Sequence, residues 1–154
     1  MKIIKYFFEF LIIIILLLIF KILGMKLATN FGSLIGGSLG PFFRSKKKIE
    51  LNIKKALPEA SEKNIAIIAS EMWKNYGRIL SEYVFIKQFR DSINEKFITV
   101  EGQEVLDSVK DSREPVVFIS GHFNNFELMA MHIQKSGINL AAIYRPLNNI
   151  FLNK

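Results

Sequence analysis

The chain opens with a long apolar run, after which apolar and polar residues alternate in shorter patterns. Between Ile3 and Leu23 the charged residues are Lys5, Glu9 and Lys21. At 1.5 Å per residue, a helix over this run is roughly 30 Å long, which matches the hydrocarbon core of a bilayer. The run therefore predicts a transmembrane anchor, which we assign to residues 1–26.

Two other interpretations of this run compete with a crossing helix. A cleaved signal peptide would need a site of the small-x-small type after Leu23, where the sequence continues Gly24-Met25-Lys26-Leu27 and offers none. An interfacial helix that never fully crosses is compatible with the run, because Glu9 lies inside it. The sequence thus disfavours cleavage and leaves the interfacial helix open.

A second apolar stretch, residues 27–44, contains glycines at intervals of four: Gly32, Gly36 and Gly40. This spacing lets another backbone approach one face of a helix closely. A glycine-rich, membrane-hugging connection without a specific partner explains the pattern equally well, because glycine also weakens helices. Pro41 is expected to end whatever structure forms here.

The remaining residues, 45–154, first follow a helical period. Ser45 is a candidate cap for a helix that Pro58 stops, and Ser61 begins a longer amphipathic helix that extends to about Ile86. Its apolar residues recur every three or four positions, which indicates packing in a core rather than ligand binding. A shorter helix is predicted over residues 103–109.

Short apolar runs in the last third of the chain predict strands. They cover residues 97–100, 115–120 and 139–144, and a helix over 125–135 separates the last two. A strand, helix and strand in this order build a parallel sheet, whose sites form at the carboxyl ends of the strands. The predicted fold class is therefore α/β, in which an N-terminal transmembrane helix precedes further helices and the first strands of a partly parallel sheet.

The formal net charge of +7 belongs to the N-terminal part of the chain. Up to Lys48 there are eight basic residues and one acid, and from Ile49 onward there are thirteen of each sign. Basic residues that flank an apolar segment meet anionic lipid headgroups, so nucleic acid is not an expected partner. They are denser after the apolar run than before it, which predicts that the folded part lies in the cytoplasm.

Candidate chemistry centres on His122 and Glu127. On a continuous helix their side chains would point apart, so they can meet only if His122 precedes the helix that contains Glu127. In that arrangement a neutral imidazole can remove a proton from a hydroxyl while the carboxylate orients the ring. The spacing alone is equally typical of a surface histidine near a helix terminus. His132 has no acid at the matching offset and is predicted to be structural, and the chain has no cysteine.

The sequence around these residues resembles that of the late acyltransferases of lipid A biosynthesis, the lauroyl and myristoyl transferase family. The resemblance rests on Ser-Gly-His-Phe-Asn-Asn-Phe-Glu at residues 120–127 and Tyr-Arg-Pro-Leu-Asn-Asn at 144–149. Pro58-Glu59, Val100-Glu101-Gly102 and the N-terminal anchor extend it over nearly all of the chain.

This resemblance implies a glycerolipid-acyltransferase-like fold, of which the chain would be the N-terminal half, with residues 45–154 as part of the catalytic domain. It implies a bacterial inner-membrane enzyme, single-pass with a cytoplasmic catalytic domain, that moves an acyl group from acyl carrier protein to a hydroxyl of a lipid A precursor or similar glycolipid. His122 would be the general base, Glu127 its partner carboxylate, Arg145 a substrate or oxyanion anchor, and Asn125 a support of the turn. No metal or cofactor is expected.

The chain departs from the family pattern at Asn124 and Phe126, where glycine and tryptophan are usual. Asparagine tolerates a left-handed turn and phenylalanine keeps the aromatic bulk, so neither change removes a reacting group. Two other hypotheses compete with catalysis. In the first, the chain is a membrane-anchored remnant that binds lipid or a partner without turnover. In the second, it is a membrane adaptor that uses the Gly32, Gly36 and Gly40 face.

Overall fold

The computed structural model describes residues 2–91 and 97–153, and its regular elements in those ranges are helices. The α helices are α1 Lys2–Leu39, α2 Lys46–Ala56, α3 Glu62–Glu82, α4 Ile86–Asp91, α5 Gln103–Ser112 and α6 Glu127–Lys135. Short 3₁₀ turns cover Gly40–Phe42, Tyr83–Phe85 and Ile150–Leu152. The chain forms two compact units, one of Leu11–Phe85 and one of Met1–Phe10 together with Ile86–Lys154.

Helix α1 unites the predicted anchor and the predicted glycine-rich connection. Its helical dihedral angles are interrupted at Gly24, where φ is 73° and ψ is 163°, values that only glycine adopts readily. The stretch Lys2–Phe42 is long and apolar enough to cross a membrane, with a mean hydropathy of 2.7 in its most apolar window. One long apolar N-terminal helix is thus compatible with a single-pass membrane anchor.

The glycine face of α1 packs on α3 within the unit Leu11–Phe85. A Cβ atom on Gly36 would lie 2.9 Å from the backbone nitrogen of Gly77, and one on Gly40 would lie 2.8 Å from Cγ of Trp73. Gly32 meets Gly77 and Ser81 in the same way. The partner of this face is therefore a helix of the same chain, and the adaptor hypothesis loses the free surface that it requires.

The two helices predicted after Pro41 are present. Ser45 occupies the cap position of α2 without a capping hydrogen bond from its side chain, whereas the hydroxyl oxygen of Ser61 accepts the backbone N–H of Asn64 at 3.2 Å. Helix α3 ends at Glu82, a little before the predicted end at Ile86. Apolar residues of this unit are buried, among them Phe20, Ile49, Ile65 and Phe85.

The predicted α/β fold class is wrong for the residues that the structure describes. Residues 97–100, 115–120 and 139–144 form no strands, and residues 114–118 and 137–141 instead line an open groove of about 620 Å³. Parallel strands are stable when both faces of their sheet are covered and several strands pair. Here the side chains of Val117, Ile119 and Ile143 are 84%, 92% and 105% exposed, so the segments lack the cover that would reward pairing.

Candidate active site

His122 lies in the irregular segment between residues 115–120, which form no strand, and α6, so it precedes the helix that begins at Glu127, as the sequence predicted. A Cβ atom on Gly121 would meet the ring of Phe123, at 2.8 Å from its Cδ2, so glycine leaves room for that ring to fold back. Asn124 has a φ of 45°, the left-handed conformation that was expected of an asparagine at a position where glycine is usual. The backbone therefore bends at residues 124–125, shortly after His122.

Glu127 is the first residue of α6, so the histidine and the acid lie on either side of a helix start. The carbonyl of Asn125 accepts the N–H of Leu128 at 3.2 Å, and the carbonyl of Phe126 accepts the N–H of Met129 at 3.2 Å. These two hydrogen bonds fix the turn and the first turn of the helix. The side-chain Oδ1 of Asn125 is shielded from solvent, and the role of this residue as a support of the turn stays a prediction.

The imidazole of His122 packs on the ring of Phe126, with ring centroids 4.2 Å apart and an interplanar angle of 57°. Both His122 and Glu127 are exposed. In the described part of the chain, neither a hydrogen bond nor an ion pair joins their side chains. Catalytic hydrogen bonds are often long without substrate and tighten in the reacting complex, so this geometry is compatible with a base and its orienting acid.

Arg145 lies in a segment without regular secondary structure that follows the groove-lining residues 137–141, and it is exposed. The structure brings it into the same compact unit as His122 and Glu127 without a direct contact among the described residues. Two residues later the chain is fixed by a side-chain clamp. The N–H of Leu147 donates to Oδ1 of Asn153 at 2.8 Å, and Nδ2 of Asn153 donates to the carbonyl of Leu147 at 2.6 Å.

His132, the second histidine, contacts the neighbouring helix rather than an acid. Its Nε2 lies 2.8 Å from Oε1 of Gln103, the first residue of α5. Nε2 of Gln103 is 3.4 Å from the hydroxyl of Ser136, which itself donates to the carbonyl of His132 at 3.1 Å. This partly buried network connects α5 to α6, which agrees with the structural role predicted for His132.

Sequence reasoning missed two features of this unit. The contact between His122 and Phe126 was not predicted, because both residues precede α6 and no regular period relates them. The second feature is Asn149, which is 7% exposed and has partners about 140 residues earlier in the chain. Its burial could not be predicted from the residues next to it in sequence. Within residues 2–91 and 97–153, no group of three or more His, Cys, Asp or Glu side chains has the arrangement of a metal site.

A comparison of the sequence with models of protein families identifies the family of this chain. The model of the family described as bacterial lipid A biosynthesis acyltransferase matches residues 1–154, which is the whole sequence. The chain belongs to the bacterial lipid A biosynthesis acyltransferase family. The resemblance of the two blocks at residues 120–127 and 144–149 is thereby confirmed. No curated protein and no solved structure gives a significant match.

Membership in the lipid A acyltransferase family supports a function of the lipid A acyltransferase type, and with it acyl transfer as the class of reaction. The family is one of membrane-associated bacterial enzymes, which agrees with the long apolar helix α1. The roles of His122, Glu127, Arg145 and Asn125 remain predictions.

Proposed function

We propose that this protein transfers a fatty acyl group from the thioester of acyl carrier protein to a hydroxyl of a lipid A precursor or a similar glycolipid. The observation that carries the proposal is the position of His122, in a fixed turn directly before a helix whose first residue is Glu127, in a chain of the lipid A acyltransferase family. A histidine and a carboxylate so arranged are suited to activating an alcohol.

In the proposed reaction, His122 accepts the proton of the acceptor hydroxyl as its oxygen attacks the thioester carbonyl. A carbon–oxygen bond forms, the carbon–sulfur bond breaks, and the proton passes from His122 to the departing thiolate. Glu127 orients the imidazole and stabilises its protonated form. Arg145 binds a phosphate of the glycolipid or stabilises the oxyanion, for which a guanidinium is well suited. The reaction requires no metal or diffusible cofactor.

The proposed setting is the inner membrane of a bacterium, with the catalytic residues on the cytoplasmic side. Support comes from the apolar character of α1 and from the basic residues that follow it, Lys26, Arg44, Lys46, Lys47 and Lys48, because such residues stay in the cytoplasm. Acyl carrier protein is a cytoplasmic donor, so this side also suits the proposed substrate.

The test is acyl transfer by the purified chain in detergent, with acylated acyl carrier protein as donor and a lipid A precursor as acceptor. We expect His122→Ala to lower kcat by roughly a hundredfold to ten-thousandfold and Glu127→Gln to lower it less, because general base catalysis contributes on that scale. His132→Ala and Glu114→Gln are the matched controls, since they remove a histidine and an exposed acid outside the turn.

Unchanged turnover in His122→Ala would overturn the assignment of the base. If the unaltered chain binds the glycolipid and transfers nothing, the non-catalytic alternative is favoured. That alternative has one observation in its support, which is the exposed apolar surface at Val117, Ile119 and Ile143.

A further inference from the structure

The residue with the most unusual surroundings in the second block is its last one, Asn149. It is 7% exposed, whereas its neighbour Asn148 is exposed. Nδ2 of Asn149 donates to the backbone carbonyl of Tyr6 at 2.8 Å and lies 3.4 Å from Oε2 of Glu9. Its Oδ1 accepts the N–H of Phe151 at 3.1 Å. Both ends of the amide are therefore engaged, and one of them binds the start of α1.

Aromatic packing reinforces this contact within the same compact unit. The ring of Phe151 packs on Phe7 with centroids 5.8 Å apart at 70°, and on Phe10 with centroids 5.9 Å apart at 38°. The start of α1 thus offers two polar acceptors, the carbonyl of Tyr6 and the carboxylate of Glu9, beside the apolar rings of Phe7 and Phe10. A buried hydrogen bond in apolar surroundings is costly to lose, because its partners are then left without water.

The contact bears directly on Arg145. From Leu147 to Asn153 the chain is closed by the clamp between these two residues, and Asn149 lies within that loop. Whatever holds Asn149 therefore also holds the segment that begins two residues after Arg145. A free loop would let the guanidinium sample many positions, and fixing it lowers the entropy cost of binding the substrate.

We propose that Asn149 is a positioning residue that docks the arginine block, residues 144–149, onto the first turns of α1. The docking of this block is inferred from the contacts alone. Its effect on acyl transfer rests on the proposed function. Through this docking, the segment that follows Arg145 is held against Tyr6, Phe7 and Phe10.

Docking itself is tested by cross-linking with a short bis-maleimide, which needs no enzymatic activity. The Phe7→Cys/Phe151→Cys pair should cross-link, whereas Phe8→Cys/Phe151→Cys should not, because Phe8 packs on Phe7 rather than on Phe151. Adding Asn149→Leu should lower the yield of the first pair roughly fivefold to tenfold, since it removes the three hydrogen bonds of the amide. Adding Asn148→Leu should leave it unchanged. Equal yields in the two backgrounds would contradict the docking role.

The effect of Asn149 on acyl transfer is measured in a separate experiment. A negative result there can be distinguished from failure of the proposed function. In a chain that transfers acyl groups, Asn149→Leu should raise the KM for the glycolipid acceptor roughly tenfold and change kcat much less. Asn149→Gln should restore part of the loss. A fall in kcat alone, with KM unchanged, would show that Asn149 acts in another way, whereas an inactive unaltered chain would count only against the proposed function.

Discussion

A Cβ atom added to Gly36 would lie 2.9 Å from the Cα atom of Gly77, so helices α1 and α3 meet backbone to backbone at this point. Such close approach increases van der Waals contact along the whole face and does not depend on water. It also makes the position intolerant of even one methyl group, because a backbone cannot move aside as a flexible side chain can.

Adjacent glycines allow a matched test of this packing. Gly36→Ala should lower the free energy of unfolding by about 1–3 kcal/mol, since the methyl group overlaps α3. Gly37→Ala should not, because a Cβ there meets only the flexible side chain of Lys74, at 3.0 Å from its Cγ. Thermal unfolding in detergent, followed by circular dichroism, compares the two. Equal destabilisation would show that general helix effects, rather than the contact with α3, determine the result.

The glycine spacing illustrates what the sequence can and cannot predict about the fold. Intervals of four residues predicted a face for close approach, and helical periods predicted α2 and α3, because a helix buries one stripe of its own residues. The partner of the glycine face was not predictable, since Trp73 and Gly77 belong to another helix whose orientation depends on the complete packing.

The hydrogen bond between His132 and Gln103 should contribute to the packing of α5 on α6. His132→Ala and Gln103→Ala should each lower the free energy of unfolding by about 1 kcal/mol, and the double variant should lose less than the sum. Below the unfolding temperature, His132→Ala should retain acyl transfer. Strictly additive losses would indicate that the bond contributes nothing.

Asn124 offers a test of backbone strain beside the candidate base. Because its φ is 45°, Asn124→Gly should raise the free energy of unfolding by about 0.5–1 kcal/mol, and Asn124→Ala should lower it by about 1 kcal/mol. Chemical denaturation in detergent measures both. The opposite order of the two variants would mean that the asparagine side chain, rather than its backbone conformation, holds the turn.

Arg145 should depend on the shape of its side chain as well as on its charge. We expect Arg145→Lys to lose roughly tenfold and Arg145→Ala roughly a hundredfold in kcat/KM, because a lysine keeps the charge and loses the paired donors. Arg113→Lys, at another exposed arginine, is the control. If Arg145→Lys were fully active, the residue would act as a simple positive charge.

The strand predictions failed for a physical reason that the sequence does not reveal. Residues 115–120 and 139–144 have the composition of buried strands, but a strand is a property of its partners as much as of its own residues. In the described part of the chain, Val117 and Ile119 are exposed, and the segments form no paired strands. Local patterns nevertheless sufficed for the turn at His122, because a glycine, an asparagine and a helix start are close together in sequence.

The break at Gly24 divides α1 into two parts that should accumulate substitutions differently. Residues before it are mostly exposed apolar side chains, such as Ile12, Leu18 and Ile22, and almost any apolar residue would serve there as well. Residues after it include Gly32 and Gly36, whose replacement by a larger residue would push α3 away. Among related chains, hydrophobicity alone should be kept at such exposed positions between the docked residues 6–10 and Gly24, and residue size at the glycines after it.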